Sequence, residues 1–301
     1  MAILSDIDKA RLEVIKSHFE DIIRQRGAQG ISIQEAVNSI KRVMEESIIE
    51  LGEDGKTSLI RSQKPIKMIH EAVKTSFIQN GVRADLIMPS LGNSAGELKL
   101  AGFLKQKNQD ICILPNNVVA TPEVLVDGLL AGTNDIYGFN LTEKILSVNV
   151  RSQLSSLGNN IDTLYERTFA EAMNLHMRSQ KMVLGEVYMI PVYEYDKHQA
   201  QNNTIAWVNN QSPIETYLRA FNAINNRNTI VSDDYKYEKV CLLVVDFSRQ
   251  IPKIYNTDLE LKADNLIPAN STTSINNLSF PTFTNSLLAT YSTRFGKGRF
   301  S

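Results

Sequence analysis

A chain of 301 residues that is 43% hydrophobic can bury one large core or two modest ones, and its net charge of -1 gives it no general attraction to polyanions. The two cysteines, Cys112 and Cys241, sit inside the apolar runs DICILP and VCLLVVDF, which suits buried reduced thiols, and no Cys/His spacing of metal type occurs. No stretch approaches the roughly 20 apolar residues of a membrane span, and the start, MAILSDIDKARLEVI, lacks a basic flank followed by an apolar run, so a soluble protein without a signal peptide is expected.

The first eighty residues read as helical. Ser5 is placed to cap DIDKARLEVIKSHFEDIIRQR, where Ile7, Leu12, Ile15, Phe19 and Ile22 keep a three-four spacing. GISIQEAVNSIKRVMEESIIELG predicts a second helix stopped by Gly52, and GEDGK a loop. Pro65 suits the first turn of a third, PIKMIHEAVKTSFIQNG, ended by Gly81.

The character then changes. RADLIMP reads as a short strand, SLGNSAG as a turn, ELKLAGFLKQ as a strand broken by KNQ, and DICILP as a buried strand. NNVVATPEVLVDGLLAGTNDIYGFN is a short helix or loop plus an edge strand. EKILSVNVRSQ is a strand, NNIDTLYERTFAEAMNLHMR a helix with Asp162 as candidate N-cap, and MVLGEVYMIPVYEYD a long apolar strand. Beyond Asp196, PIETYLRAFNAI predicts a helix, YEKVCLLVVDF a buried strand and IPKIYNTDLELK a partner for it. With no clear linker or repeat, a single domain is expected over residues 1–301: a helical region at 1–81, an α/β core at 82–196 with a mixed central sheet flanked by helices, and a C-terminal elaboration at 197–301.

One row in the core is chemically pointed. Asn149, Arg151 and Gln153 alternate with Val148 and Val150, so a strand would present all three on one face. Helix, three strands in an antiparallel meander, crossover helix and a returning strand is the order from Pro65 to Asp196, and a crossover of this length is what parallel pairing requires. In this order, and in the segments NVRSQLSS, DTLYERTFAEAMNLH and GEVYMIPVYEYD, residues 66–196 resemble the PD-(D/E)xK nucleases, the fold of many type II restriction endonucleases.

The resemblance implies a DNA-cutting site with divalent metal, Mg²⁺ or Mn²⁺. Asp110 falls where the family's metal-binding Asp lies, and Asn149-x-Arg151 where its Glu-x-Lys lies, with Gln153 continuing the face. Asp110 and Asn149 would be the metal ligands, Arg151 would hold the scissile phosphate and Gln153 would orient water or a ligand. Asn offers a neutral oxygen in place of a carboxylate, and a guanidinium cannot deprotonate to act as a base. The resemblance therefore leaves two outcomes open: a site-specific restriction endonuclease acting on double-stranded DNA, or a catalytically degenerate DNA-binding or assembly protein on the same fold. It also implies a homodimer in a bacterial or archaeal cytoplasm, with no membrane partner.

A rival set, Asp85 with Glu97-Leu98-Lys99, matches E-x-K by letter but lacks a following helix. Arg151 has a structural alternative as ion-pair partner of Glu166 or Glu171, and Glu186 as partner of Arg167 or Arg178. His176 lies on a helix stripe and reads as a packed core histidine, and Glu71 as a surface acid or a distant metal ligand. The Asn/Gln-rich loops HQAQNN and NNRN suit contacts to bases and phosphates or are plain polar loops. The tail STRFGKGRF is a phosphate contact or a frayed end.

Overall fold

Ser5 accepts from Asp8 N and starts α1 (Asp6–Arg26), whose acids in the first turn and arginines in the last complement the helix dipole. Leu12, Ile15 and Phe19 form its buried stripe. The second helix, α2 (Ile33–Arg61), opens with a capping box between Ser32 and Glu35. Gly52 does break it, with φ 63° and ψ -151°, but the expected loop after it is a further stretch of helix to Arg61. The reason is burial: Gly55 and Lys56 are covered, and Lys56 pairs with Glu53 at 2.6 Å. A Cβ at Gly52 would lie 2.9 Å from the Ala200 carbonyl oxygen, so the neighbouring segment can close on the break only over glycine. α3 (Lys64–Gln79) carries proline in its first turn as expected.

This computed structural model describes residues 4–93 and 95–301, leaving aside the side chains of Asn159 and Asn160; Ser94, inside the turn expected at 90–96, lies outside the described residues. In chain order the remaining elements are β1 (Ile87–Met88), β2 (Leu98–Ala101), β3 (Gln106–Gln109), β4 (Ile111–Ile113), β5 (Glu123–Val124), β6 (Asn134–Asp135), α4 (Phe139–Thr142), β7 (Leu146–Ser152), α5 (Leu157–His176), β8 (Val183–Pro191), α6 (Lys197–Gln201), α7 (Ile214–Ala223), β9 (Lys239–Asp246), β10 (Lys253–Tyr255), α8 (Asp258–Ala263) and α9 (Phe280–Phe295). The central sheet has the order β1-β4-β7-β8-β9-β10. β1, β4 and β7 are antiparallel, β7, β8 and β9 run parallel, and β10 returns antiparallel. The fold is thus α/β with a mixed sheet and an N-terminal helical region.

Three details differ from the sequence reading. The meander begins with β1, while ELKLAGFLKQ and the following KNQ fold back on each other as the separate β2–β3 hairpin. That hairpin docks on the C-terminal part of α5, where Phe103 N donates to Asn174 O at 2.7 Å. α5 starts at Leu157, five residues before Asp162, because Glu194 supplies its cap, accepting from Ser156 N at 2.7 Å and Leu157 N at 3.0 Å. The C-terminal third is no elaboration: β9 and β10 complete the sheet and α9, unexpected from the sequence, covers it. The tail is docked as well, since Phe300 is buried and its carbonyl accepts from Arg83 N at 2.9 Å.

Alternation along the strands makes two cores. Val148, Val150, Val183, Val187, Cys241 and Leu243 pack toward α1, α2, α3 and α9. Cys112, Leu184, Tyr188, Leu242 and Val244 pack toward α5, α7 and α8. Both cysteines are free and buried.

Glu71 is not a surface acid. It is buried with Lys74, whose Nζ donates to Glu71 Oε1 at 2.7 Å, Ser90 O at 3.1 Å and Asn93 O at 2.9 Å, while Glu71 Oε2 accepts from Gly92 N at 2.7 Å. Removing one member leaves the other charge buried and unpaired. Lys74→Met is expected to lower the unfolding free energy by about 3–5 kcal/mol in urea titration, with a large part recovered when Glu71→Gln is added.

Candidate functional site

Because β4 runs against β7, the head of β4 and the C-terminal end of β7 meet at one edge of the sheet. The first turn of α3 and the N-terminal half of α5 arrive at the same edge. Together they enclose a cleft of about 710 Å³ lined by residues from α2, α3, β3, β7, α5 and β8 and by Asp110 just before β4. Five cations line it, Arg61, Lys67, Lys107, Arg151 and Arg167, against two acids, Glu97 and Asp110, with His70 beside them. The carboxyl ends of parallel strands are where open α/β sheets place their ligands. A second, largely apolar groove of about 600 Å³ between α2 and the β9–β10 turn contains none of the expected site residues.

The expected residues separate on inspection. Ile111 pairs with Val148, which sets Asp110 opposite Asn149, and Asp110 Oδ2 accepts from Val150 N at 2.8 Å. Asp110, Arg151 and Gln153 line the cleft, whereas Asn149 is buried behind it with its Nδ2 unsatisfied. Arg151 is held by three groups: Glu171, which it pairs with directly, Glu186 at 3.1 Å and Thr168 Oγ1 at 2.9 Å. Gln153 is also committed, donating to Ser156 O at 2.9 Å and accepting from the hydroxyls of Tyr188 at 3.1 Å and Tyr217 at 2.8 Å. Of the rival set only Glu97 lines the cleft, 3.5 Å from Lys67. Asp85 is exposed and paired with Arg83, and Lys99 is exposed on β2. Glu186 pairs with Arg151 in place of Arg167 or Arg178, and Glu171, not Glu166, is the helix partner of Arg151. His176 is a core histidine, fully buried against Glu238 and the Asp234 carbonyl.

Electrostatics sharpen the cleft. Burial lifts the Asp110 carboxyl above its ordinary range; the Val150 amide opposes that shift and the negative charge of Glu97 adds to it. Burial, with Lys67 and Lys74 nearby, lowers His70 to about 3, so its imidazole is neutral at physiological pH. Burial lifts Glu186 to about 8, with Arg151 opposing and Asp110 reinforcing the shift.

Among the described residues no three of His, Cys, Asp and Glu form a ready metal-binding group. Asn149 is too deeply placed to act as the cleft's ligand. Asp110 and Glu97 fit a narrower role. Mg²⁺ is commonly held by one or two carboxylates, its shell completed by water and substrate phosphate. The Glu97 charge makes ionisation of Asp110 costlier and Asp110 Oδ1 is left uncommitted, an arrangement that a divalent cation would relieve.

Lys67, Lys107, His70 and Arg167 carry no site signal in the sequence. They come from α3, β3 and α5, and no short-range spacing joins them. The one local signal is the i,i+3 relation of Lys67 and His70 in a helix, which places both on one face.

The raised Glu186 carboxyl gives a signed pH effect. Between its ordinary value of 4.5 and about 8 the folded chain keeps a proton that the unfolded chain has released. Folding stability from this group is therefore greatest below 4.5, falls as pH rises through the window, and levels off above about 8. Glu186→Gln should remove that slope, so its melting temperature should gain on the wild type by several degrees between about pH 5 and pH 8.5. A constant difference across the range would contradict this assignment.

Comparison with known proteins gives no match: no family model, no curated protein and no solved structure is significantly similar to this chain.

Proposed function

We propose that the protein is a phosphodiester-cleaving DNA endonuclease of the type II restriction class, built on a PD-(D/E)xK-like core and acting from the cleft at the end of β7. The observation that carries the reading is the placement of Asp110. It heads a strand antiparallel to β7, faces Asn149 in register, and shares its cleft with Glu97 and five cations. The order of one helix, an antiparallel meander, a crossover helix and a parallel fourth strand supports the same reading.

The roles follow from position. Lys67, Lys107 and Arg167 would bind the phosphates of a DNA backbone, and Arg151, steadied by Glu171 and Glu186, would orient the scissile one. Asp110 and Glu97 would hold Mg²⁺ or Mn²⁺, which when bound supplies charge for the phosphoryl oxyanion and a more acidic water. Gln153 is tied by two tyrosines, so its part would be to fix the end of β7. In this proposal double-stranded DNA is the substrate and the setting a microbial cytoplasm.

A second reading, sequence-specific DNA binding without cleavage, is favoured by two observations. Asn149 is withdrawn from the cleft, and Arg151 is already engaged within the chain by Glu171 and Glu186.

Incubation with mixed plasmid and phage DNA and Mg²⁺ or Mn²⁺ separates the readings. Cleavage into discrete fragments supports the first, and binding without cutting the second. If DNA is neither bound nor cut, both fail. Asp110→Asn, which keeps an acceptor for Val150 N, should cut at least about 100-fold more slowly while binding DNA nearly as well. Lys67→Ala with Arg167→Ala should weaken binding to all sequences and reduce the salt dependence by about two phosphate contacts.

A further inference from the structure

β3 runs into β4 with only Asp110 between Gln109 and Ile111. β1 pairs with this line at Met88 and Cys112, and β2 at Leu98 and Gln109. Between those two pairs one chain has only Asp110 and Ile111, whereas the other has the whole of 89–97. The surplus leaves the ladder opposite Asp110 as a greatly enlarged bulge, and bulges re-aim side chains beside sites. Its last residue is Glu97. One step beyond the Leu98–Gln109 pair, Glu97 stands on one chain and Asp110 on the other, and both line the cleft.

Little apolar burial orders this excursion. SLGNSAG, at 90–96, has Leu91 as its one large side chain, and that is only partly buried. Few contacts of that kind offset the entropy of fixing the segment. It is gripped by its backbone instead. Lys74 uses all three ammonium donors, on Glu71 Oε1 at 2.7 Å, Ser90 O at 3.1 Å and Asn93 O at 2.9 Å, and Glu71 Oε2 accepts from Gly92 N at 2.7 Å. Asn93 Oδ1 accepts from Ala95 N at 2.9 Å, which carries the hold to within two residues of Glu97. Lys67 shares a face of α3 with Glu71 and Lys74 by its spacing, and reaches Glu97 itself at 3.5 Å. α3 packs on β7, whose Val150 N holds Asp110. Both carboxylates are thus referred to one pair of packed elements.

We propose that Glu71 and Lys74 are positioning residues for the cation site: by fixing the backbone of the 89–97 excursion, they hold the Glu97 carboxylate in the cleft beside Asp110. The inference rests on the endonuclease reading for what the two carboxylates bind, a divalent cation. Replacing a buried ion pair by apolar side chains is often neutral or stabilising. A loop that needed only to be covered would be served as well by leucine or methionine on α3. The pair instead defines one path for the chain, whatever side chains the loop carries.

Mn²⁺ uptake by the full chain without DNA, followed by electron paramagnetic resonance, tests this apart from activity. The wild type should bind Mn²⁺, and Glu97→Gln and Asp110→Asn should each weaken it. Glu71→Gln with Lys74→Met should weaken it about tenfold, as loss of groups that orient a ligand commonly does. Adding Glu97→Gln to that pair should cost almost nothing further, because the carboxylate is already out of place. Two glycines inserted between Ala95 and Gly96 leave the clamp and both ladders untouched. They should weaken Mn²⁺ by a similar factor with the melting temperature unchanged, and they decide the matter if the paired substitution fails to fold. A paired variant with wild-type Mn²⁺ affinity, where Glu97→Gln has lost it, overturns this inference alone. So does an insertion variant with wild-type affinity, which would make the clamp a matter of stability only. A wild type that takes up no Mn²⁺, or is indifferent to Glu97→Gln, overturns the cation site of the endonuclease reading and this inference with it.

Discussion

The Arg151 guanidinium is the interaction on which the core turns. It reaches from β7 to Glu171 on α5 and to Glu186 on β8, so a single cation ties a strand, the helix that leaves it and the strand that helix delivers. Buried charges are costly unless paired, and here the pairing is possible only when all three elements are in place. Lys107 joins the same Glu171 from the β2–β3 hairpin, extending the tie to a fourth element. The crossover is therefore specified electrostatically as well as by apolar packing. Glu186 remains the weak member, since neither of its oxygens has a well-directed hydrogen bond.

The cleft inherits its chemistry from that arrangement. Arg151 is held by Glu171 and Glu186, and Lys107 shares Glu171 with it, so the cations on the surrounding walls that are less committed to that network are Lys67 and Arg167. Burial, reinforced by Lys67 and Lys74, keeps His70 neutral, which removes it as an acid and leaves it a polar wall residue. The acids stand on the β4 side, with Asp110 anchored to the β7 backbone and Glu97 leaning on Lys67. The nearly balanced whole-chain charge conceals this local excess of cations, which is a property of the fold and not of the composition.

Much of the scaffold was legible. The helical stripes of α1 and α3, the apolar runs of β7, β8 and β9 and the length of the α5 crossover are local patterns that burial enforces. The alternation at 149–153 was real, yet its meaning was not. Both faces of β7 are covered, so a polar row marks a buried network as readily as an exposed site. What could not be read depended on distant partners. α9 is rich in Thr, Ser and Phe, a composition that signals no helix by itself, and its buried side is set by the sheet face that it covers. The β2–β3 hairpin looked like a sheet strand because its docking partner, Asn174, lies some seventy residues away. Glu97 and Asp110 reach one cleft by way of that hairpin, a relation that no spacing discloses.

The β4–β7 pairing has a further consequence, for how such a chain tolerates change. Asp110 is placed by only three backbone pairs, Ile111 with Val148, Cys112 with Ser147 and Ile113 with Leu146. A substitution on β4 alters one contact and leaves those pairs intact. Gain or loss of a single residue there would slide Asp110 by about 3.3 Å and turn its side chain to the opposite face of the sheet. A change of length between Asp110 and Ile113 is therefore the change that this chain tolerates least.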